Sequence, residues 1–142
     1  ISSNSEEVRA IRLYLDCLVE LKDFDECKNF LKSLEKEVLE KEEIKQINKK
    51  LEIIEKNSEG PDINELLQKL ENKKDDINLI LEISDKYFSM QEYENAMNLL
   101  LSNYKKNKNM VKEKMVEFFN VLGDTNEHTI SYRKKLSQLM FS

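Results

Sequence analysis

The order of apolar and polar positions along the chain predicts a succession of amphipathic helices separated by short breaks. Over residues 5–20, Val8, Ile11, Leu15 and Leu18 recur at helical spacing on one stripe. Leu21-Lys22-Asp23 reads as a turn, and a second helix is expected from Phe24 to Lys36, burying Phe24, Cys27, Phe30, Leu31 and Leu34. A third, over 38–56, repeats Ile44, Ile47, Leu51 and Ile54 beneath an outer face almost wholly of Lys and Glu. It has too few clean heptads for a coiled coil and reads as a helix packed on its neighbours. Asn57 to Asp62 is the clearest break: Gly60 suits a helix C-cap, and Pro61 or Asp62 a helix start. It places a boundary between a degenerate N-terminal helical repeat, 1–59, and a second segment, 60–142, within one continuous domain. Further helices are expected over 62–71, with Ile63, Leu66, Leu67 and Leu70 inward, and over 76–89, 92–105, 109–122 and 126–141.

Composition agrees. Two glycines and one proline among 142 residues leave little material for tight hairpins, and 36% of the chain is charged. Leu, Lys and Glu are good helix formers, so the fold class is all-α. A chain of this length buries enough surface to need no disulfide or metal staple. The net charge of −5 excludes a general nucleic-acid binder, which requires positive potential against phosphates. Lys105, Lys106 and Lys108, and Arg133, Lys134 and Lys135, read as solvated helix faces. Cys17 and Cys27 are spaced for neither a redox pair nor a zinc knuckle and are expected to be packed thiols. No apolar run approaches a membrane span. With no signal-peptide core either, a reducing cytoplasm is expected. Ile1 in place of Met is read as the cut end of a longer protein.

An internal repeat emerges next. Leu21-Lys22-Asp23-Phe24-Asp25-Glu26-Cys27 and Met90-Gln91-Glu92-Tyr93-Glu94-Asn95-Ala96 share the order apolar, polar, acid, aromatic, acid, polar, small. Leu31 and Leu100 follow at the same distance from the small residue. The two stretches are offset by 69 positions, Phe24 to Tyr93, close to twice the period of about 34 residues of a tetratricopeptide repeat. Counted from Ala96, the first-helix positions of that repeat fall on Ile80, Ile83, Ser84 and Tyr87: large, apolar, small and aromatic. Small residues at Ser84 and Ala96 let the paired helices approach, while Tyr87 and Tyr93 fill the space between them. The first copy is weaker, with Leu15 in the slot of Ser84. The repeat's glycine is replaced by Lys22 and Gln91. The expected architecture is antiparallel helical hairpins, about eight helices in all, stacked as a tetratricopeptide-like superhelix that binds peptides or helices.

The tail carries a further likeness. Lys112, Phe119, Leu122, Gly123, Tyr132, Arg133, Leu136, Leu139 and Phe141 fall without a gap on the C-terminal pattern of the chaperedoxins, thioredoxin-like proteins with a tetratricopeptide tail. Tyr93 to Leu101 matches that family's Tyr-Glu-x-Ala-x-x-x-Leu-Leu run. Lys106 stands near the usual tryptophan and Glu127 where proline is common. The resemblance covers about 76–142, is loose over 1–60, and leaves out the thioredoxin-like half. It implies a bacterial cytoplasmic co-chaperone that holds unfolding clients, notably under oxidative stress, and passes them to the chaperonin. It also implies a docking role for the last helix, through Tyr132, Arg133, Leu136, Leu139, Met140 and Phe141. From the residues themselves, Leu136, Leu139 and Met140 form a stripe that either caps the stack or meets a partner. Two alternatives remain: an adaptor for a dedicated peptide partner, and a substrate-positioning tail of an active thioredoxin.

No catalytic, cofactor or metal site is expected. His128 is the only histidine and has no ligand cluster around it, and Asp75-Asp76 reads as a helix start. Asp23, Asp25 and Glu26 miss the calcium-loop spacing, and glycines at 60 and 123 alone cannot build a phosphate-cradling loop.

Overall fold

A computed structural model describes residues 2–142, with side chains from residue 5 onward. Among the described residues there are nine α-helices and no strand. They are α1 (Ser2–Glu20), α2 (Phe24–Ser33), α3 (Lys36–Leu39), α4 (Glu42–Ser58), α5 (Ile63–Asn72), α6 (Ile77–Ser89), α7 (Tyr93–Ser102), α8 (Lys108–Leu122) and α9 (Glu127–Met140). A single 3-10 turn, Tyr104–Lys106, leads into α8. Helix starts follow the cap rule: Asp23, Asp76, Asn107 and Asn126 each accept a backbone N–H from the first turn that follows.

Contacts divide the chain into two compact units, Ile1–Leu51 and Glu52–Ser142. The division falls inside α4, while the Gly60-Pro61 break is a turn within the second unit. Ile53 accounts for the difference, because it belongs to the core cluster of the second unit. Lys86 also donates to the Asn57 carbonyl, 2.6 Å away, fixing the end of α4 to α6.

In the first unit the expected stripes are buried: Val8, Leu15 and Leu18 on α1, and Ile44, Ile47 and Leu51 on α4. Arg12 ties these helices together. It forms an ion pair with Asp16 at 3.1 Å and donates to the Glu43 carbonyl at 2.7 Å and to Gln46 at 2.9 Å. Three expectations are corrected here. The second helix stops at Ser33, because Leu34 and Glu35 are extended and α3 is a separate turn. Leu34 leaves the helical conformation at ψ 148°, with its N–H closing onto the Leu31 carbonyl at 3.2 Å, while the Ser33 hydroxyl donates to the Phe30 carbonyl at 2.6 Å. Lys50 lies on the inner side of α4 and not on its charged face. Burial pushes its ammonium down, and the Asp16 and Glu20 carboxylates pull it back up. Of the two thiols, Cys27 is buried but Cys17 is exposed, so only one is packed.

In the second unit α6 packs most extensively against α7, α5 leans on α6, and the α8–α9 hairpin closes on α7. Ile80, Phe88, Ala96, Met97, Leu100, Met115 and Phe118 are wholly buried at its centre. Phe88 stacks on Phe118 with ring centroids 4.3 Å apart and meets Tyr93 at 5.0 Å. Rings at these separations add attraction beyond the area that they bury.

Candidate functional site

The repeat is built from a helical hairpin and its turn. At the α1–α2 corner the Lys22 N–H bonds to the Val19 carbonyl at 3.0 Å, and the Asp23 N–H to the Leu18 carbonyl at 2.9 Å. At the α6–α7 corner the Gln91 N–H bonds to the Phe88 carbonyl at 2.9 Å, and the Glu92 N–H to the Tyr87 carbonyl at 2.9 Å. Both are Schellman closures, which require a left-handed residue after the helix. Lys22 adopts φ 60° and Gln91 φ 63°, so the two positions that lack the repeat's glycine keep the glycine's backbone conformation. Within α6–α7, Ile80, Ile83, Ser84, Ala96 and Leu100 are fully buried, and Tyr87 and Tyr93 are half-buried. The Ser84 hydroxyl turns back onto its own helix, donating to the Leu81 carbonyl at 2.7 Å. That satisfies a buried polar group and leaves the small side chain free to sit against α7.

The tail forms a second hairpin. Gly123 ends α8 at φ 92°, with its N–H on the Phe119 carbonyl at 2.8 Å. That backbone conformation suits glycine, and Phe119 itself is buried. Arg133 holds the turn by an ion pair to Asp124 at 3.1 Å, and its guanidinium lies 5.5 Å from the centre of the Phe119 ring. The candidate docking residues separate by face. Tyr132 and Leu136 are in the core, and Leu139 and Met140 are half-buried against it. Burial raises the Tyr132 hydroxyl above its ordinary range, with the Glu94 carboxylate acting in the same direction. Arg133 and Phe141 face outward, Phe141 at 86% exposure, together with Ile130, which the sequence reading had not singled out. Ile130 could have been found from helical spacing alone, since it shares a face with Lys134 and Phe141.

A groove of about 860 Å³ runs between the end of α4, α5 and α6. Leu66, Leu79 and Leu81 form its apolar part, while Lys56, Lys69, Lys73 and Lys86 stand among Glu59, Asp76, Glu82 and Asp85. The lining charges match in number, and one of the acids, Asp85, is already committed to a lysine outside the lining. Lys114 bridges Asp85 at 3.1 Å and Glu117 at 3.1 Å. Burial raises the Asp85 carboxyl against the pull of Lys114. For Lys114 burial acts the other way, yet Asp85 and Glu117 outweigh it and lift the ammonium above its ordinary value.

His128 sits in the first turn of α9, edge-on to Tyr93 at 5.4 Å, with Glu127 3.6 Å from its Nε2. Among the described residues, no group of three or more His, Cys, Asp or Glu could hold a metal ion. No described helix is long and apolar enough to cross a membrane.

The hairpins, their paired left-handed turns and the small-residue contact define a helical-repeat protein-binding scaffold. The chain belongs to the tetratricopeptide repeat family, whose model matches residues 56–141. Its fold is similar to the crystal structure of a domain of protein VP0806, of unknown function, from Vibrio parahaemolyticus RIMD 2210633. The two share 24% identity at a TM-score of 0.54, over 98% of this chain and 83% of that one. A comparison with curated proteins finds no match.

Proposed function

We propose that the chain is the protein-binding module of a chaperedoxin-type co-chaperone, holding unfolding clients and docking on the chaperonin in a reducing cytoplasm. The tail pattern from Lys112 to Phe141 motivates the reading, and the outward face of α9 is the observation that carries it. Phe141 and Ile130 expose large apolar surface beside Arg133 and Lys134, and a stable helix has no internal use for that face. Docking then uses Ile130, Arg133 and Phe141, while Tyr132 and Leu136 hold the helix in place.

The test is capture of chaperonin, and suppression of aggregation of a chemically denatured client, by the full chain. Ile130→Glu with Phe141→Ser should abolish capture while leaving helicity and thermal stability intact. Deleting residues 126–142 is a poorer test, because it removes Tyr132 and Leu136 from the core. Undiminished capture by the double variant removes the docking role.

The charge-balanced groove along α5 and α6 favours a second reading, an adaptor for one dedicated peptide. A stoichiometric partner displaced by changes at Lys69 and Lys73, with no effect on client aggregation, selects it.

A further inference from the structure

The first unit has its own groove, of about 640 Å³, formed where the chain breaks between α2 and α4. Leu34 and Glu35 are extended and α3 is a single turn, so the short helix stands off from α1 and leaves a cleft. Its floor is apolar: Val8 and Ile11 from α1 face Leu34 and Val38. Val8 is buried and the other three are half-buried, so the floor is a surface part-way to a core.

The rim has a different character. Glu7, Glu35, Glu37 and Glu40 surround that floor, all exposed, with Lys41 as the one cation among the lining residues. None of the four carboxylates forms an ion pair among the described residues, so each has its charge to offer. They form no metal-binding group either. The groove along α5 and α6 differs in kind, since its lining carries as many lysines as acids.

We propose that this cleft binds a basic amphipathic segment of a partner protein, with aliphatic side chains on the floor and Lys or Arg side chains reaching the glutamate rim. Charge decides the class of occupant. An acidic peptide or a nucleic acid meets net repulsion, and a second copy of this net-negative chain gains little. An apolar peptide without cations leaves four desolvating carboxylates uncompensated. The inference rests on the protein-binding reading but assigns it a site in a different unit from α9.

Fluorescence anisotropy with the full chain tests it. The probe is a short labelled peptide with leucine and lysine at helical spacing, and its twin carries glutamate in place of lysine. Several exposed ion pairs acting together should make the lysine peptide bind at least about tenfold tighter than its twin. Raising salt from about 50 to about 300 mM should erode most of that difference. Glu35→Lys with Glu37→Lys and Glu40→Lys changes only exposed side chains, so the fold should survive, and it should reverse the preference. Backbone amide shifts on titration should cluster at Val8, Ile11, Leu34 and Val38. Equal binding of the two peptides overturns the proposal. So does a preference unchanged by the triple variant, or amide shifts confined to residues beyond 52. Chaperonin capture that survives the triple variant, alongside a lysine peptide that fails to bind, refutes this site and leaves the α9 reading standing.

Discussion

Replacing Lys22 by glycine should stabilise the first unit, and the size of the gain follows from the turn. Lys22 is exposed and holds φ 60°. A side chain in the left-handed region costs about 1–2 kcal/mol through the clash of Cβ with the backbone carbonyl. Glycine removes that clash but gives the unfolded chain extra freedom, which offsets about 0.4–1 kcal/mol. A net gain of about 0.5–1 kcal/mol remains, equal to a rise of roughly 0.2–0.5 M in the urea midpoint. Lys22→Ala is the control, because it removes the charge and the long side chain but keeps Cβ. It should stay within about 0.5 kcal/mol of the parent. Gln91→Gly probes the equivalent turn in the second unit at φ 63°, with a smaller gain because the Gln91 side chain is half-buried and has interactions of its own. Urea unfolding followed by circular dichroism at 222 nm measures all three. Equal midpoints for Lys22→Gly and Lys22→Ala would refute the strain argument, and a destabilised Lys22→Gly would show that the side chain does something in the folded state.

Three further outcomes test other parts of the molecule. Leu136→Ala should cost about 2–5 kcal/mol, because Leu136 is 4% exposed in the core, whereas Phe141→Ala should change stability by less than about 0.5 kcal/mol; equal effects in thermal melts would contradict the division of α9 into an inner and an outer face. A thiol reagent near pH 8 should modify Cys17 at once and Cys27 only as the chain unfolds, since burial, then Asp16 and Asp23, push the Cys27 thiol up to about 11; mass spectrometry of tryptic peptides separates the two. The Lys114 ammonium lies above its ordinary 10.5 when folded, so its contribution is complete below that value and is lost as pH rises through the raised one. Lys114→Gln should therefore flatten the alkaline fall in stability relative to the parent; Cys27 and Tyr132, also raised, act in the same direction in both proteins and cancel in the comparison.

Most of the helices were legible because their apolar residues repeat at the helical period and their starts carry Asp or Asn, as at Asp23, Asp76, Asn107 and Asn126. What escaped lies where no residue type marks the event. The stop at Ser33 has neither glycine nor proline, and only the extended backbone of Leu34 and Glu35 records it. Lys50 reads as a solvated residue because its neighbours are Lys and Glu, yet its position on α4 faces inward toward Asp16 and Glu20. The same blindness hid the α1–α3 cleft, since Leu34 reads as a core residue of a continuous helix until the break after Ser33 is seen.

The repeat shows the opposite relation, in which geometry outlasts the residue that usually supplies it. The absence of glycine at Lys22 and Gln91 weakened the sequence match. The left-handed turn survives because two backbone hydrogen bonds and a hairpin packed on both sides hold it, and together these exceed the cost of a Cβ in that conformation. In the tail, motif positions were legible but their direction was not: Tyr132, Leu136 and Phe141 belong to one pattern, and only the register of α9 on α7 and α8 decides which of them a partner can touch. A motif conveys which residues act together, whereas the rotation of the helix that bears it decides whether they act on the core or on a neighbour. For α9 that rotation leaves Ile130, Arg133 and Phe141 outside. A test of docking by α9 that leaves the chain folded therefore falls on those three and not on Tyr132 or Leu136.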